Sequence, residues 1–219
     1  MRSDAGGKPK RGKPPSLTEK QIVDAALAII RQEGVDALSM RRLSRGLDRS
    51  AMAPYSHVAD KQELLDLVAR EVLSEVVVPA PDAGPWEDRL RAVIDSIDQR
   101  LHSYPGIAEV LFARMQSADR RLILGIMRIL LSAGFSDTDV VLGYAMVHTY
   151  LYGRYQVVLH ADEDPPADVD SDLERVLSYV PQLRGRDFFT FGVDILIEGL
   201  RSRLAASQIR PKQRRTRSS

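Results

Sequence analysis

Between Ser39 and Lys61 the chain gathers side chains that bond phosphates and base edges. Arg41, Arg42, Arg45 and Arg49 come first, then Ser50, Tyr55, Ser56, His57 and Lys61, against only two acids, Asp48 and Asp60. Guanidinium and ammonium groups pair with phosphate and guanine, and hydroxyl and imidazole groups bond either backbone or base. Leu43 and Leu47 stand i, i+4 and bury one side of a short helix, which puts Arg41, Arg42 and Arg45 opposite. A second piece, about Ser50 to His57, is too short and too polar to be a core helix. Two short helices joined by a tight turn near Asp48, the second one polar, form the helix-turn-helix pattern. The surface expected to meet double-stranded DNA is Ser39, Arg41, Arg49, Ser50, Ala51, Met52, Ala53, Tyr55, Ser56, His57 and Lys61.

The flanking elements must hold that segment. Thr18 and Gln21 form a capping box and Leu17 staples to Ile22, opening a helix with Ile22, Ala26, Ile29 and Ile30 buried and Gly34 as its stop. Ser39 caps the next helix. Asp60 and Glu63 form a second capping box ahead of Leu64, Leu65, Val68 and Val72, on a helix running to about Val76. Val78-Pro-Ala-Pro-Asp-Ala-Gly-Pro85 breaks the chain. Helices are expected from Trp86 to the Tyr104-Pro105-Gly106 break, from Ile107 to about Met115, over 119–133 before Gly134, and over 140–159 behind caps at Ser136 and Asp139. An acidic, proline-containing loop follows at 161–172, then helices over 173–180 and 187–206. No segment reads as a strand, so the fold is all-α: a three-helix N-terminal domain and a larger helical body.

Charge is divided unevenly. Residues 1–60 carry 11 basic and seven acidic side chains and 208–219 carry five basic and none acidic, which leaves the middle acidic in a chain of net charge +1. A basic head on an acidic body fits a polyanionic partner. Residues 1–16, with Pro9, Pro14, Pro15 and four Lys or Arg between 8 and 13, are expected to be a disordered basic arm, and 208–219 a disordered basic tail. Residues 17–60 form the DNA-binding unit and 61–207 the effector-binding and dimerisation unit. The chain has no cysteine, and with no apolar leader and no run long enough to span a membrane in this sequence, a soluble cytoplasmic protein is expected.

The segment Leu43–Lys61 resembles the DNA-reading segment of the tetracycline-repressor (TetR) family of bacterial transcription regulators. That pattern is a Leu-Gly-Val-Ser turn, then Leu-Tyr, any residue, His, an apolar residue and a nearby Lys. Here the turn reads Leu47-Asp48-Arg49-Ser50, and Tyr55, His57, Val58 and Lys61 stand in place. Asp48 replaces the turn glycine, Arg49 a valine and Pro54 a leucine. Pro54 lacks a donor and biases Ala53 away from the α region. Residues 188–200 are similar to the closing helix of the same family. The resemblance implies a homodimer in which this helix and the one before the acidic loop build a four-helix bundle with the partner. It also implies an operator and a small-molecule effector. Arg41 falls where the family places a base-reading arginine. The family's metal–tetracycline site uses a histidine on the helix after the Pro-Gly break. That place is Leu111 here, so neither magnesium nor any other cofactor is expected.

Gly143, Gly153, Gly192 and Gly199 on the two long helices permit close helix approach, within the chain or across a dimer. His102, Tyr104, Arg114, Tyr144, His148 and Tyr152 lie on otherwise apolar helices of the body and, with Leu111, are expected to line an apolar effector cavity. None of the four histidines has a metal-type spacing, and no nucleophile elbow or phosphate loop occurs, so no enzyme is expected. The reading is a ligand-responsive repressor that binds a palindromic operator as a dimer. The alternative is a nonspecific nucleic-acid-binding protein without effector control.

Overall fold

The computed structural model describes residues 17–113, 120–160, 170–179 and 186–209, with backbone alone at 112, 113 and 156–160. Among these residues every regular element is helical. α1 (Glu19–Glu33) opens on the expected capping box: Gln21 N–H donates to the Thr18 hydroxyl at 3.2 Å and Thr18 N–H to the Gln21 side chain at 3.0 Å. It stops at Gly34, whose φ of 82° is open to glycine. α2 (Met40–Gly46) is capped by Ser39, which accepts the Arg42 N–H at 3.1 Å. In α3 (Lys61–Ser74) the Asp60 carboxylate accepts the Gln62 and Glu63 N–H groups. The reciprocal half of that box reaches one residue further back than expected, with Glu63 accepting from Ala59 N–H at 2.7 Å.

The body holds α4 (Trp86–His102), α5 (Ile107–Ala113), α6 (Arg120–Ser132), α7 (Asp137–His160), α8 (Ser171–Leu177) and α9 (Arg186–Ile209). Several ends differ from the sequence reading because caps act earlier than apolar periodicity shows. Ser136 accepts Asp139 N–H at 3.2 Å, so α7 begins at Asp137 rather than Val140. Asp170 accepts the Asp172 and Leu173 N–H groups at 3.0 Å, so α8 begins at Ser171 rather than Leu173. α3 ends at Ser74, two residues short of Val76. The arm 1–16 and the loop as far as 169 lie outside the described residues, as do the residues after Ile209; Gln208 and Ile209 themselves finish α9.

One apolar core joins head and body. α1 packs on α2 and α3, and α3 in turn meets α4 and α5. In the body α6 lies on α4 and α7, and α9 closes over α4 and α7. Trp86 stands edge-on to Phe135 with centroids 5.3 Å apart and pins the start of α4 to the turn before α7.

The head touches the body through the break between α4 and α5. Val35 N–H donates to the Pro105 carbonyl at 3.1 Å. Arg31 donates to the Tyr104 hydroxyl at 2.8 Å and lies over its ring at 5.1 Å. Gly106 holds φ +80°, and a Cβ there would stand 2.5 Å from Val35 Cγ1. Val35 is β-branched and cannot easily swing aside. Gly106→Ala should therefore cost about 2–4 kcal/mol through backbone strain and overpacking, seen as a Tm lowered by several degrees. An unchanged Tm would show that the joint yields freely.

Candidate nucleic-acid interface

α2 presents Leu43 and Ser44 to the interior and leaves Arg41 and Arg45 exposed. The Ser44 hydroxyl is taken up by its own backbone, donating to the Met40 carbonyl at 2.8 Å. At the turn the chain needs a residue at positive φ, and Asp48 provides it with φ 52°. Aspartate enters this region more readily than branched residues do. The turn that the resemblance assigns to glycine is thus made without one.

The second piece differs from the expected helix. Residues 50–57 wind through i→i+3 bonds: Ala53 N–H to Ser50 carbonyl at 3.0 Å, Tyr55 N–H to Met52 at 3.2 Å and His57 N–H to Pro54 at 3.0 Å. Only Pro54–Ser56 forms a 3₁₀ turn. Pro54 has no N–H, so an α ladder cannot run through it. The expected bias on Ala53 is nonetheless overridden, since that residue is helical at φ −62°, ψ −42°. The Pro54 ring is buried, as is Val58, and this anchoring outweighs the pre-proline preference.

With Leu43, Pro54 and Val58 turned inward, Ser50, Ala51, Met52, Tyr55, Ser56, His57 and Lys61 are exposed in one continuous stretch. Met52 is 70% exposed, a large apolar side chain with no interior role. Ser39 is exposed with its hydroxyl engaged as a cap, and Ala53 and Arg49 are half-buried. The Ser56 hydroxyl donates to the Ala53 carbonyl at 2.7 Å. Arg42 is drawn away to α1, where its guanidinium pairs with Glu33 through two nitrogens. That hydrogen bond holds the Glu33 carboxyl below its ordinary value and the Arg42 group above its own. Arg42 therefore fixes α2 against α1, while Arg41 stays exposed.

In the body, the residues expected around an effector differ in their surroundings. Tyr144 and His148 stack on one face of α7 with ring centroids 6.4 Å apart, and burial pushes the phenol up and the imidazole down from their ordinary values. Leu111 on α5 is buried in the core. His102 instead meets Tyr155, whose hydroxyl lies 3.3 Å from its Nδ1. Tyr152 is exposed on α7. Arg114 lies outside the described residues. Two of the four glycines have partners within the chain: a Cβ on Gly143 would stand 2.9 Å from Leu130, and one on Gly192 would strike the Tyr150 ring. Gly153 and Gly199 face open space.

Residues 78–204 match the tetracyclin repressor-like C-terminal domain family. The chain belongs to the TetR family of transcriptional regulators. An HTH-type transcriptional regulator of Saccharopolyspora erythraea is 32% identical over 154 residues, 68% of this chain and 65%, just under two thirds, of that protein. The structure of the Streptomyces coelicolor TetR-family protein ActR in complex with actinorhodin is similar at TM-score 0.68 and 27% identity, covering 86% of this chain and 98% of that one. BioQ, solved with its double-stranded DNA operator, is similar at TM-score 0.62 and 28% identity, covering 84% and 98%.

Within this TetR-family body lies a charged group that the sequence reading missed. Asp98 on α4 and Arg154 on α7 are 4% and 5% exposed and pair at 2.7 Å. The Tyr155 hydroxyl donates to the Asp98 carboxylate at 3.0 Å. Burial and the neighbouring carboxylate push that phenol well above its ordinary value. The Arg154 guanidinium also lies over the Phe189 ring at 4.7 Å, which ties α9 into the same cluster. A signal was present: Arg154 is the single charged side chain between Val140 and Leu159, and a lone charge on an apolar helix demands a buried acid. Arg154→Met leaves Asp98 buried and unpaired and should cost about 3–5 kcal/mol in denaturant unfolding, whereas Asp98→Leu with Arg154→Met together should recover most of that loss. A double variant no better than the single one would contradict the pairing.

Proposed function

We propose that this TetR-family chain is a ligand-responsive repressor that binds a palindromic operator as a homodimer and is released by a small molecule held in its body. The observation that carries the reading is the exposed, acid-poor stretch 48–57, seated by buried Leu43, Pro54 and Val58 and flanked by Arg41 and Lys61. BioQ on its operator and ActR with actinorhodin support the two halves of the reading, DNA and ligand. A body of this size attached to the reading head argues against a simple coating protein. As a regulator the chain carries out no turnover and works beside the DNA, in the cytoplasm. No described helix is long and apolar enough to cross a membrane.

The division of labour follows. Residues 17–60 read DNA and 61–207 hold effector and partner, with α3 shared because it packs on both sides. Arg41 reads guanine, since 39–61 contains no Asn or Gln to pair with adenine. Ser39, Arg49, Ser50, Tyr55, Ser56, His57 and Lys61 set register on phosphates and base edges, and Ala51, Met52 or Ala53 touch thymine methyls. Tyr144, His148, Leu111, His102, Arg114 and Tyr152 are the effector-facing candidates. The dimer face lies on α7 and α9, where Leu142, Met146, Phe191 and Ile195 are all more than half exposed next to the open Gly153 and Gly199. Paired heads then meet successive major grooves roughly 34–36 Å apart, and an effector that favours another spacing releases the DNA.

Selection from random DNA tests the reading. Arg41→Ala should cost roughly 1–3 kcal/mol and relax preference at one guanine per half-site, while Lys61→Ala should weaken all sequences alike. The same motif with the same base preferences from wild type and Arg41→Ala would refute guanine reading. Gly199→Arg should yield a folded monomer in sedimentation, because a Cβ there meets nothing within 4 Å in its own chain. An unchanged dimer would move the interface elsewhere.

A further inference from the structure

Behind α3 a cavity of 570 Å³ separates the strap that follows this helix from the outer side of α6. One wall is apolar, formed by the strap from Val78 to Pro81 with Ile129. The other carries Arg89, Arg121, Arg128 and Ser132, and among the described residues no carboxylate lines the space. The strap cannot retreat to the helix or drift from it freely: a Cβ on Gly125 would stand 2.9 Å from both Val78 methyls, so the two surfaces already touch at the upper end. Gly125, Arg128 and Ser132 follow one another at i, i+3 and i+7 and form a single stripe toward the strap.

Arg89 is the anomaly. It is 7% exposed, yet among the described residues its side chain makes one hydrogen bond, from Nη2 to the Ser132 hydroxyl at 3.0 Å. Its Nε is buried without a hydrogen-bond partner, and it forms no ion pair among the described residues. Arg154, the other buried arginine among the described residues, has Asp98. Removing a guanidinium from water without a counter-charge is costly, and one neutral hydroxyl does not offset it. Arg121 does not relieve this, because its nitrogens point to the Leu73 and Val76 carbonyls. Arg128 is exposed at the cavity edge and adds a second cation. The buried, unpartnered Nε of Arg89 and the exposed guanidinium of Arg128 match an oxyanion, a group that guanidinium binds strongly. The prolines and aliphatic side chains opposite match an apolar body.

We propose that this cavity binds a small organic acid, with its carboxylate or phosphate head on Arg89 and Arg128 and its apolar part against the strap. This site lies apart from the Tyr144–His148 face of α7, and its occupation does not depend on DNA. Calorimetry on the full-length protein at fixed ionic strength tests it, with sodium octanoate as probe, 1-octanol as its neutral counterpart and inorganic phosphate as competitor. Octanoate should bind once per chain, 1-octanol about tenfold more weakly or worse, and phosphate should compete. Arg89→Gln should erase the preference for octanoate over octanol, and Arg128→Gln, at an exposed position that leaves folding intact, should weaken octanoate about tenfold. Equal binding of octanoate and octanol overturns the proposal. So does unchanged octanoate affinity in Arg128→Gln, which would place the acid elsewhere in the body. Because no DNA is present, neither result depends on how the operator is released.

Discussion

Val35 N–H donating to the Pro105 carbonyl at 3.1 Å, and Arg31 donating to the Tyr104 hydroxyl at 2.8 Å, seat the reading head on the body. The seat is small, but it is stiff. Gly106 admits Val35 only because it has no side chain, and Tyr104 is itself buried under the Arg31 guanidinium. Ile107, the first residue of α5, follows at once and is fully buried. Close-packed interiors transmit such constraints rather than absorb them. A displacement of α5 must therefore appear at Val35, and through α1 at the Arg42–Glu33 pair that positions α2.

A second tether acts on the opposite end of α3. Arg121 on α6 donates to the Leu73 carbonyl at 2.8 Å and the Val76 carbonyl at 2.7 Å, where the chain leaves α3. Glu75 pairs with Arg100 on α4, and Val78 lies on Gly125. The head is thus held at one point by the turn leading into α5 and at another by α6. Moving α5 relative to α6 turns the head, while moving both together only carries it along. An effector needs differential contact with the two arrangements to shift their populations. The Asp98–Arg154 pair keeps α4 and α7 from yielding first, since parting them would leave the buried Arg154 guanidinium without its counter-charge.

Much of this was legible in the residues. Caps announce themselves chemically, so Thr18, Ser39, Asp60 and Ser136 marked helix starts to within a few positions. The outward Arg41 and the inward Leu43 followed from helical spacing. The turn at 50–57 was misjudged in form because one residue, Pro54, set two preferences against each other: it forbids the α ladder yet is buried deeply enough to hold Ala53 helical. Gly143 and Gly192 could be read as close approaches, but spacing does not say whether the approaching group is on the same chain, and here it is Leu130 or Tyr150. The tethers could not be read at all. Arg31, Tyr104, Arg121 and the Val76 carbonyl are far apart in sequence, and nothing in the type of an exposed arginine reveals that it will bond a backbone oxygen 45 residues away.

Native-state amide hydrogen exchange at Val35 tests the seat most directly. Its N–H has one partner, the Pro105 carbonyl across the joint, so its protection measures whether head and body stay together. The account predicts that Val35 exchanges as slowly as the amides of α4, and that Gly106→Ala speeds it without speeding those of α4. Rapid exchange at Val35 in the unaltered protein, with α1 and α4 both protected, would mean that the head swings freely on the body, and the joint would not control what the head reads.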